Sequence, residues 1–116
     1  QTTMTHWELI NTEERDGFVI RFYAAPEHIH PDDCFDDAGQ TARDIDAGLY
    51  HWFTAKVTAS MAGIDLGTDY LGCCCYPNVT DFLGELYYED MVAAAIHQAK
   101  EHLAALAEMQ GRLAHA

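Results

Sequence analysis

The densest concentration of chemically active side chains lies between residues 27 and 46, where acids far outnumber bases. Seven carboxylates occur in this span, against the single cation Arg43. The helix dipole favours acids in the first turn of a helix, but like charges four residues apart repel one another. Carboxylates beyond a first turn therefore indicate a surface that matches a basic partner, with a merely solvated acidic face as the alternative. The acids are Glu27, Asp32, Asp33, Asp36, Asp37, Asp44 and Asp46.

A second candidate site overlaps the start of that segment and has the residue types of a zinc site. His28 and His30 are two residues apart in an extended stretch, so their side chains point the same way, and Cys34 follows closely. The spacing matches neither a Cys-x-x-Cys knuckle nor a His-Glu-x-x-His helix. A metal-binding or enzymatic accessory domain that uses these three residues is therefore the alternative, and we expect no metal and no other cofactor.

Signatures of covalent catalysis do not occur in the sequence. There is no Gly-x-Ser-x-Gly elbow and no phosphate-binding glycine loop. We therefore expect a binding protein and not an enzyme. Trp52 shares its strand parity with Thr54 and Lys56, which predicts an outward position where an indole can serve as an interface anchor.

Length and charge restrict the class of protein further. The 116 residues, 49% of them hydrophobic, fit one domain over 1–116. Six Lys and Arg against 19 Asp and Glu give a formal net charge of -13, which disfavours direct binding to nucleic acid or to anionic membranes. No apolar run is long enough for a membrane span, and the first residues lack the pattern of a signal peptide. These features predict a soluble, cytoplasmic protein.

The cysteines are unevenly distributed along the chain. Cys73, Cys74 and Cys75 are consecutive, and Cys34 is distant from them. Neighbouring strand residues point to opposite faces, so the three consecutive cysteines do not form an ordinary disulfide framework among themselves. We expect four free thiols and a reducing compartment.

Alternating apolar residues predict two β-hairpins. The first joins 6–12 to 18–24 through Asp16-Gly17, and the second joins 50–61 to 64–76 through Ala62-Gly63. Residues of one parity should form the buried face of the sheet. On the second strand of the first hairpin and the first strand of the second, these are Phe18, Ile20 and Phe22, and Phe53, Ala55, Val57 and Ala59.

Helical spacing predicts the remaining elements. A helix is expected over 31–47, with Pro31 in its first turn and Gly48 at its end, which places Asp32/Asp36 and Asp33/Asp37 on one exposed stripe. A short turn follows from Thr80, and a long amphipathic helix begins near Tyr87. The order ββαββαα predicts an α+β two-layer domain, in which helices, including the long C-terminal one, cover an antiparallel four-stranded sheet.

The stretch from Val57 to Tyr76, followed by Phe82, Tyr87-Tyr88 and Asp90-Met91-Val92, resembles small uncharacterised proteins of phages and mobile elements. The size, the acidity and the lack of a catalytic signature are similar to those of anti-CRISPR and antirestriction inhibitors. The resemblance implies an anti-defence inhibitor that occupies a basic nucleic-acid-binding surface of a bacterial defence complex, as a DNA mimic does, in the cytoplasm of the host.

A resemblance of this kind transfers no functional residue. The residues expected to contact the basic partner are therefore the seven acids given above, together with Trp52. A homodimer through the long C-terminal helix is a further interaction that the sequence permits.

Overall fold

The computed structural model describes residues 6–114 and contains one open antiparallel sheet with the strand order β1-β2-β3-β4. The strands are β1 (Glu8–Arg15), β2 (Phe18–Pro26), β3 (His51–Met61) and β4 (Ile64–Tyr76). Each pairs antiparallel with its neighbour in sequence, which confirms both hairpins and the α+β class. Each hairpin turn uses a glycine with positive φ, a conformation that is open to glycine because it lacks Cβ.

One face of the sheet is covered by a long helix and by the turn that precedes it. The turn is a 3₁₀ helix over Val79–Gly84, and α2 covers Leu86–Ala114. Phe82 and Tyr88 are both fully buried against the sheet, and each of their rings lies within about 6 Å of Phe22. The strand residues predicted to face inward are buried: Phe18, Ile20, Phe22, Phe53, Ala55, Val57 and Ala59.

The backbone of α2 approaches β4 most closely at Gly67. A Cβ built on Gly67 would lie 1.9 Å from the Ala95 carbonyl oxygen and 3.0 Å from the Ala99 nitrogen. Only a residue without a side chain leaves room for the helix at this distance. The edge of β4 is also tied to the helix, because the Thr68 amide donates a hydrogen bond to Gln98 Oε1 at 3.2 Å.

Only the first half of α2 packs on the sheet. Met91, Val92, Ala95, Ile96 and Ala99 are buried, whereas every residue of 104–114 is exposed. The second half therefore projects past the hairpin turns, and the longest dimension of the molecule is 63 Å.

The predicted helix over 31–47 is wrong. The segment instead contains a 3₁₀ turn (Pro31–Asp33), an irregular stretch and the short helix α1 (Gln40–Asp46). Ala38 has φ 56° and Gly39 has φ 81°, and a right-handed helix cannot pass through left-handed residues. No residue of 27–50 is buried, so no core stabilises the helical alternative. The expected stripe of carboxylates spaced four apart on one helix does not exist, and the order ββαββαα is approximate.

The prediction of four free thiols is also wrong. Cys34 and Cys73 form a disulfide across a separation of 39 residues, with their Cα atoms 6.4 Å apart. Cys74 and Cys75 are free. The alternation of side chains along a strand opposes pairing within 73–75, but it places no restriction on pairing with a distant cysteine.

Candidate functional site: an acidic lobe fixed to the sheet

The acidic segment forms a small lobe between the end of β2 and the start of β3. We call residues 27–50 the acidic lobe. It lies at the end of the sheet opposite the two hairpin turns, and its anchoring residues contact the sheet face opposite α2. Since none of its residues is buried, specific polar, aromatic and covalent contacts must hold it in place.

Glu27 attaches the beginning of the lobe to β3 and β4. One carboxylate oxygen accepts hydrogen bonds from the Thr54 hydroxyl at 3.0 Å and the Cys73 amide at 2.7 Å. The other accepts from the amides of His28 at 2.9 Å and Ile29 at 3.1 Å. Partial burial raises the pKa of Glu27, but the four hydrogen bonds outweigh it and leave the pKa below its usual value. Glu27 is thus ionised and committed to contacts within the chain.

Trp52 faces the lobe and not open solvent. Its indole Nε1 donates a hydrogen bond to the Ile29 carbonyl oxygen at 2.8 Å, and its ring lies 5.8 Å from that of Phe35. The indole is on the outward side of β3, as its parity predicts, but it is half-buried there. Its role in the chain is to anchor the lobe.

The Cys34–Cys73 disulfide is the covalent attachment. Cys34 follows the 3₁₀ turn, and Cys73 lies in β4 with φ 60°, in an irregular part of the strand where the pairing with β3 shifts register. The shift lies between the pairs Phe53–Cys74 and Ala55–Leu71. The irregularity directs the Cys73 amide towards Glu27, so one residue of β4 holds the lobe through both its backbone and its sulfur.

Asp37 caps α1 from outside the helix. Its carboxylate accepts hydrogen bonds from the Thr41 amide at 3.0 Å and from the Thr41 hydroxyl. These bonds lower the pKa of Asp37 below its usual value. Gly39, the residue at the N-cap position, offers no side chain for this purpose, so Asp37 replaces it.

The remaining lobe carboxylates are mostly free to meet a partner. Within residues 6–114, Asp33, Asp36 and Asp46 make no side-chain hydrogen bond and no ion pair, and all three are exposed. Asp32 is exposed and lies 3.8 Å from His30 Nδ1. Asp44 accepts one hydrogen bond, from Gln40 Nε2 at 2.8 Å.

The single cation of the lobe does not neutralise these acids. Arg43 donates hydrogen bonds to the Ala38 carbonyl oxygen and to Gln40 Oε1, both at 3.1 Å. Among the described residues, the Lys and Arg side chains that form ion pairs are Arg15, Lys100 and Arg112, all outside the lobe. The lobe therefore presents uncompensated negative charge.

The alternative metal site is not assembled in this structure. Cys34 is disulfide-bonded, which removes the thiolate that a metal would need. His30 Nδ1 accepts a hydrogen bond from the Asp32 amide at 3.1 Å, where it caps the 3₁₀ turn. Over residues 6–114, no group of three or more His, Cys, Asp or Glu is placed to hold a metal ion.

A second cluster of charged side chains connects β1 to α2 on the covered face. Arg15 donates two hydrogen bonds to Glu89, at 2.5 and 2.9 Å, and one to Glu13 at 2.6 Å. The Tyr88 hydroxyl donates to Glu13 at 2.6 Å, and burial together with this bond raises the Tyr88 pKa. Every one of these groups has a partner, so the cluster holds the helix on the sheet.

No family model, curated protein or solved structure matches the chain. Of the helices within residues 6–114, none combines the length and apolar character needed to cross a bilayer.

The sequence singled out the acidic residues but did not separate their roles. Glu27 and Asp37 act inside the chain, whereas Asp32, Asp33, Asp36 and Asp46 face solvent. One signal for this division was present: Gly39 interrupts the predicted helix, and an acid two residues before a glycine can cap a helix that starts after it. The disulfide had no comparable local signal.

Proposed function

We propose that this protein is a stoichiometric inhibitor of the anti-defence class, which acts in the cytoplasm of a bacterial host. Its acidic lobe occupies a basic, nucleic-acid-binding surface of a defence complex, where its carboxylates take the place of the phosphates of the nucleic acid. The inhibitor works by occupancy and not by turnover. The observation that carries the proposal is the set of exposed, uncompensated carboxylates on a lobe that is fixed to the sheet at three places.

Fixing the carboxylates favours binding for a thermodynamic reason. A flexible acidic loop would lose conformational entropy when it meets its partner, whereas a tethered lobe has lost most of it on folding. Charge complementarity also accelerates the encounter with a basic surface. The Debye length falls from about 10 Å at 0.1 M salt to about 3 Å at 1 M, so the association should slow as salt rises.

The test is affinity capture from a bacterial lysate that contains defence systems. Duplex DNA is then added, and it should elute any captured complex whose nucleic-acid-binding surface the inhibitor occupies. The lobe variant carries Asp32→Asn, Asp33→Asn, Asp36→Asn and Asp46→Asn, and leaves Asp37 in place because it caps α1. The matched control neutralises four exposed acids outside the lobe: Glu8→Gln, Glu14→Gln, Asp65→Asn and Asp90→Asn. Both variants lose the same charge.

Wild type and the control should capture the same nucleic-acid-binding complex, and DNA should release it. The lobe variant should lose it while its circular dichroism remains that of the wild type. Equal capture by the two variants would show that the lobe is not the contact surface, and capture insensitive to DNA would contradict the occupancy of a nucleic-acid site.

A further inference from the structure

The cysteines beneath the acidic lobe form a group that the proposed function does not use. Cys73 and Cys75 are two residues apart on β4, and Cys75 pairs in register with Trp52, the residue that anchors the lobe. The intervening Cys74 is buried in the core. A disulfide and a partly exposed thiol therefore lie together where the lobe meets the sheet.

This group is accessible from solvent. A surface cavity of about 320 Å³ is lined by Phe35 of the lobe, by Cys73 and Cys75, and by Tyr87 at the start of α2. Cys34 and Cys73 are both only half-buried. A thiol reagent can therefore reach the disulfide without unfolding of the sheet.

The two free thiols are held mostly in the protonated form in the folded protein. Burial raises the pKa of Cys75, and the carboxylates of Asp44 and Asp37 in the lobe raise it further. Burial likewise raises the pKa of Cys74, to about 11. Because the thiolate is the attacking species, neither neighbour exchanges readily with the disulfide, and the electrons must come from outside.

The disulfide is also the contact on which the outer part of the lobe depends most. Glu27 and Ile29 fix only the first residues of the lobe, and Phe35 adds one ring contact. Beyond Phe35, the hydrogen bonds of α1 are made within the lobe itself. Without the bond to Cys73, the stretch with Asp36 and Asp46 has no buried residue to hold it.

We propose that the Cys34–Cys73 disulfide is a thiol–disulfide exchange site, at which a dithiol reductant releases the acidic lobe from the sheet. One thiolate of the reductant attacks a sulfur of the disulfide and forms a mixed disulfide, and the other protein sulfur leaves as a thiolate and takes up a proton. The second thiol of the reductant then displaces the protein, which yields a cyclic disulfide and the second protein thiol. Two electrons and two hydrogens pass from the dithiol to Cys34 and Cys73.

The consequence for binding rests on the function proposed above. Dithiol reductants are abundant in a cytoplasm, and the disulfides that form there are mostly transient or redox-sensing, so this bond is expected to alternate between its oxidised and reduced forms. The oxidised protein presents fixed carboxylates, and the reduced protein presents mobile ones that bind more weakly because ordering them costs entropy. The redox state of one bond thereby sets the affinity of the lobe for a basic partner.

Limited proteolysis tests the release without any partner. Arg43 is the only Lys or Arg in the lobe, so trypsin reports on the lobe through one cleavage that mass spectrometry can locate. The folded protein is incubated with or without dithiothreitol, its thiols are capped with iodoacetamide, and the reductant is removed before trypsin is added. Cleavage at Arg43 should become at least tenfold faster after reduction, and the far-ultraviolet circular dichroism should remain that of a folded sheet.

Three variants complete the test. Cys34→Ser, which cannot form the bond, should be cleaved fast with or without reductant, and Cys75→Ser should respond as the wild type does. The lobe variant with four neutralised aspartates should also respond as the wild type, because its disulfide is intact. The redox result is therefore independent of whether the lobe binds a defence complex. Equal cleavage of oxidised and reduced wild type, or slow cleavage of folded Cys34→Ser, would overturn the proposal.

Discussion

The Glu27 carboxylate accepts a hydrogen bond from the Cys73 amide at 2.7 Å, across 46 residues of sequence. These two residues take part in two of the three attachments of the acidic lobe, since Cys73 also carries the disulfide to Cys34. A buried core is absent from this part of the described chain, so the position of the lobe depends on a few directional contacts. Substitutions at these contacts should therefore destabilise the lobe strongly, although the residues that make the contacts are only partly buried.

Replacing Glu27 with Gln should destabilise the lobe by about 2 kcal/mol. The amide nitrogen of glutamine would face two N–H donors in place of the carboxylate oxygen that now accepts from them. Faster hydrogen exchange at the amides of α1 is the measurement. Glu14→Gln is the matched control, because Glu14 is exposed, and it should leave the exchange unchanged.

The stability of the lobe should fall in acid. The pKa values of Glu27 and Asp37 are lower in the folded protein than their usual values of 4.5 and 3.8. A carboxylate with a depressed pKa contributes stability above its unfolded-state pKa and loses that contribution as the pH falls through the folded-state pKa. Protection of the α1 amides from exchange should thus decline below about pH 4.5. If Glu27→Gln shows the same pH profile as the wild type, the protonation of Glu27 does not cause the decline.

Gly67→Ala should lower the free energy of unfolding by at least about 2 kcal/mol. The new Cβ would overlap the Ala95 carbonyl oxygen, and two packed backbones would have to separate. Gly84→Ala is the control, since a Cβ there meets no atom within 4 Å. Urea denaturation of both variants is the measurement, and equal midpoints would contradict the close approach of α2 to β4.

Alkylation without reductant should add two labels to the unfolded protein, and four after reduction. The two come from Cys74 and Cys75, which are free in the fold. Peptide mapping should show the blocked pair as Cys34 and Cys73. Four labels in a freshly prepared, unreduced sample would rule out this disulfide.

We propose that the projecting end of α2 pairs with a second copy of the chain. The apolar stripe that packs on the sheet continues into it as Leu106 and Leu113, which are 45% and 75% exposed. This end is also locally neutral, because Glu108 and Arg112 form an ion pair at 2.5 Å, so two strongly acidic chains can approach here with least repulsion.

Sedimentation equilibrium should therefore detect a dimer. The double variant Leu106→Glu and Leu113→Glu should abolish it, while Leu86→Glu, at an 81% exposed site near the start of α2, should not. A monomeric wild type at high concentration, or a dimer that survives the double variant, would contradict the pairing.

The sheet could be predicted from the sequence because its determinants are local. Phe18, Ile20 and Phe22 alternate with polar residues, and a period of two defines a strand with one buried face wherever the chain places it. The glycine turns and the long apolar stripe of α2 are likewise determined by residues close together in the sequence. Hairpins need no distant partner for their register, so the two hairpins followed directly from the sequence, whereas the pairing of β2 with β3 joins strands that the acidic lobe separates.

The acidic lobe could not be predicted in this way. The spacing of Phe35, Ala38, Ala42 and Ile45 satisfies a helix, but helical spacing stabilises a helix only when a surface buries the apolar side. No such surface exists beside 27–50, and the left-handed Ala38 and Gly39 end the pattern. The acidic composition of the lobe could thus be read from the sequence, but its shape could not.

The sequence by itself thus determined the acidity of the chain, the two hairpins, the buried face of the sheet and the long helix. Only the tertiary structure decided that Cys34 meets Cys73, that Glu27 receives donors from 28, 29, 54 and 73, and that Trp52 anchors the lobe. The physical reason is the separation in sequence between the residues that interact. Periodicity reports which side of an element is apolar, whereas a disulfide or a hydrogen bond depends on the position of atoms that the folded sheet brings together from distant parts of the chain.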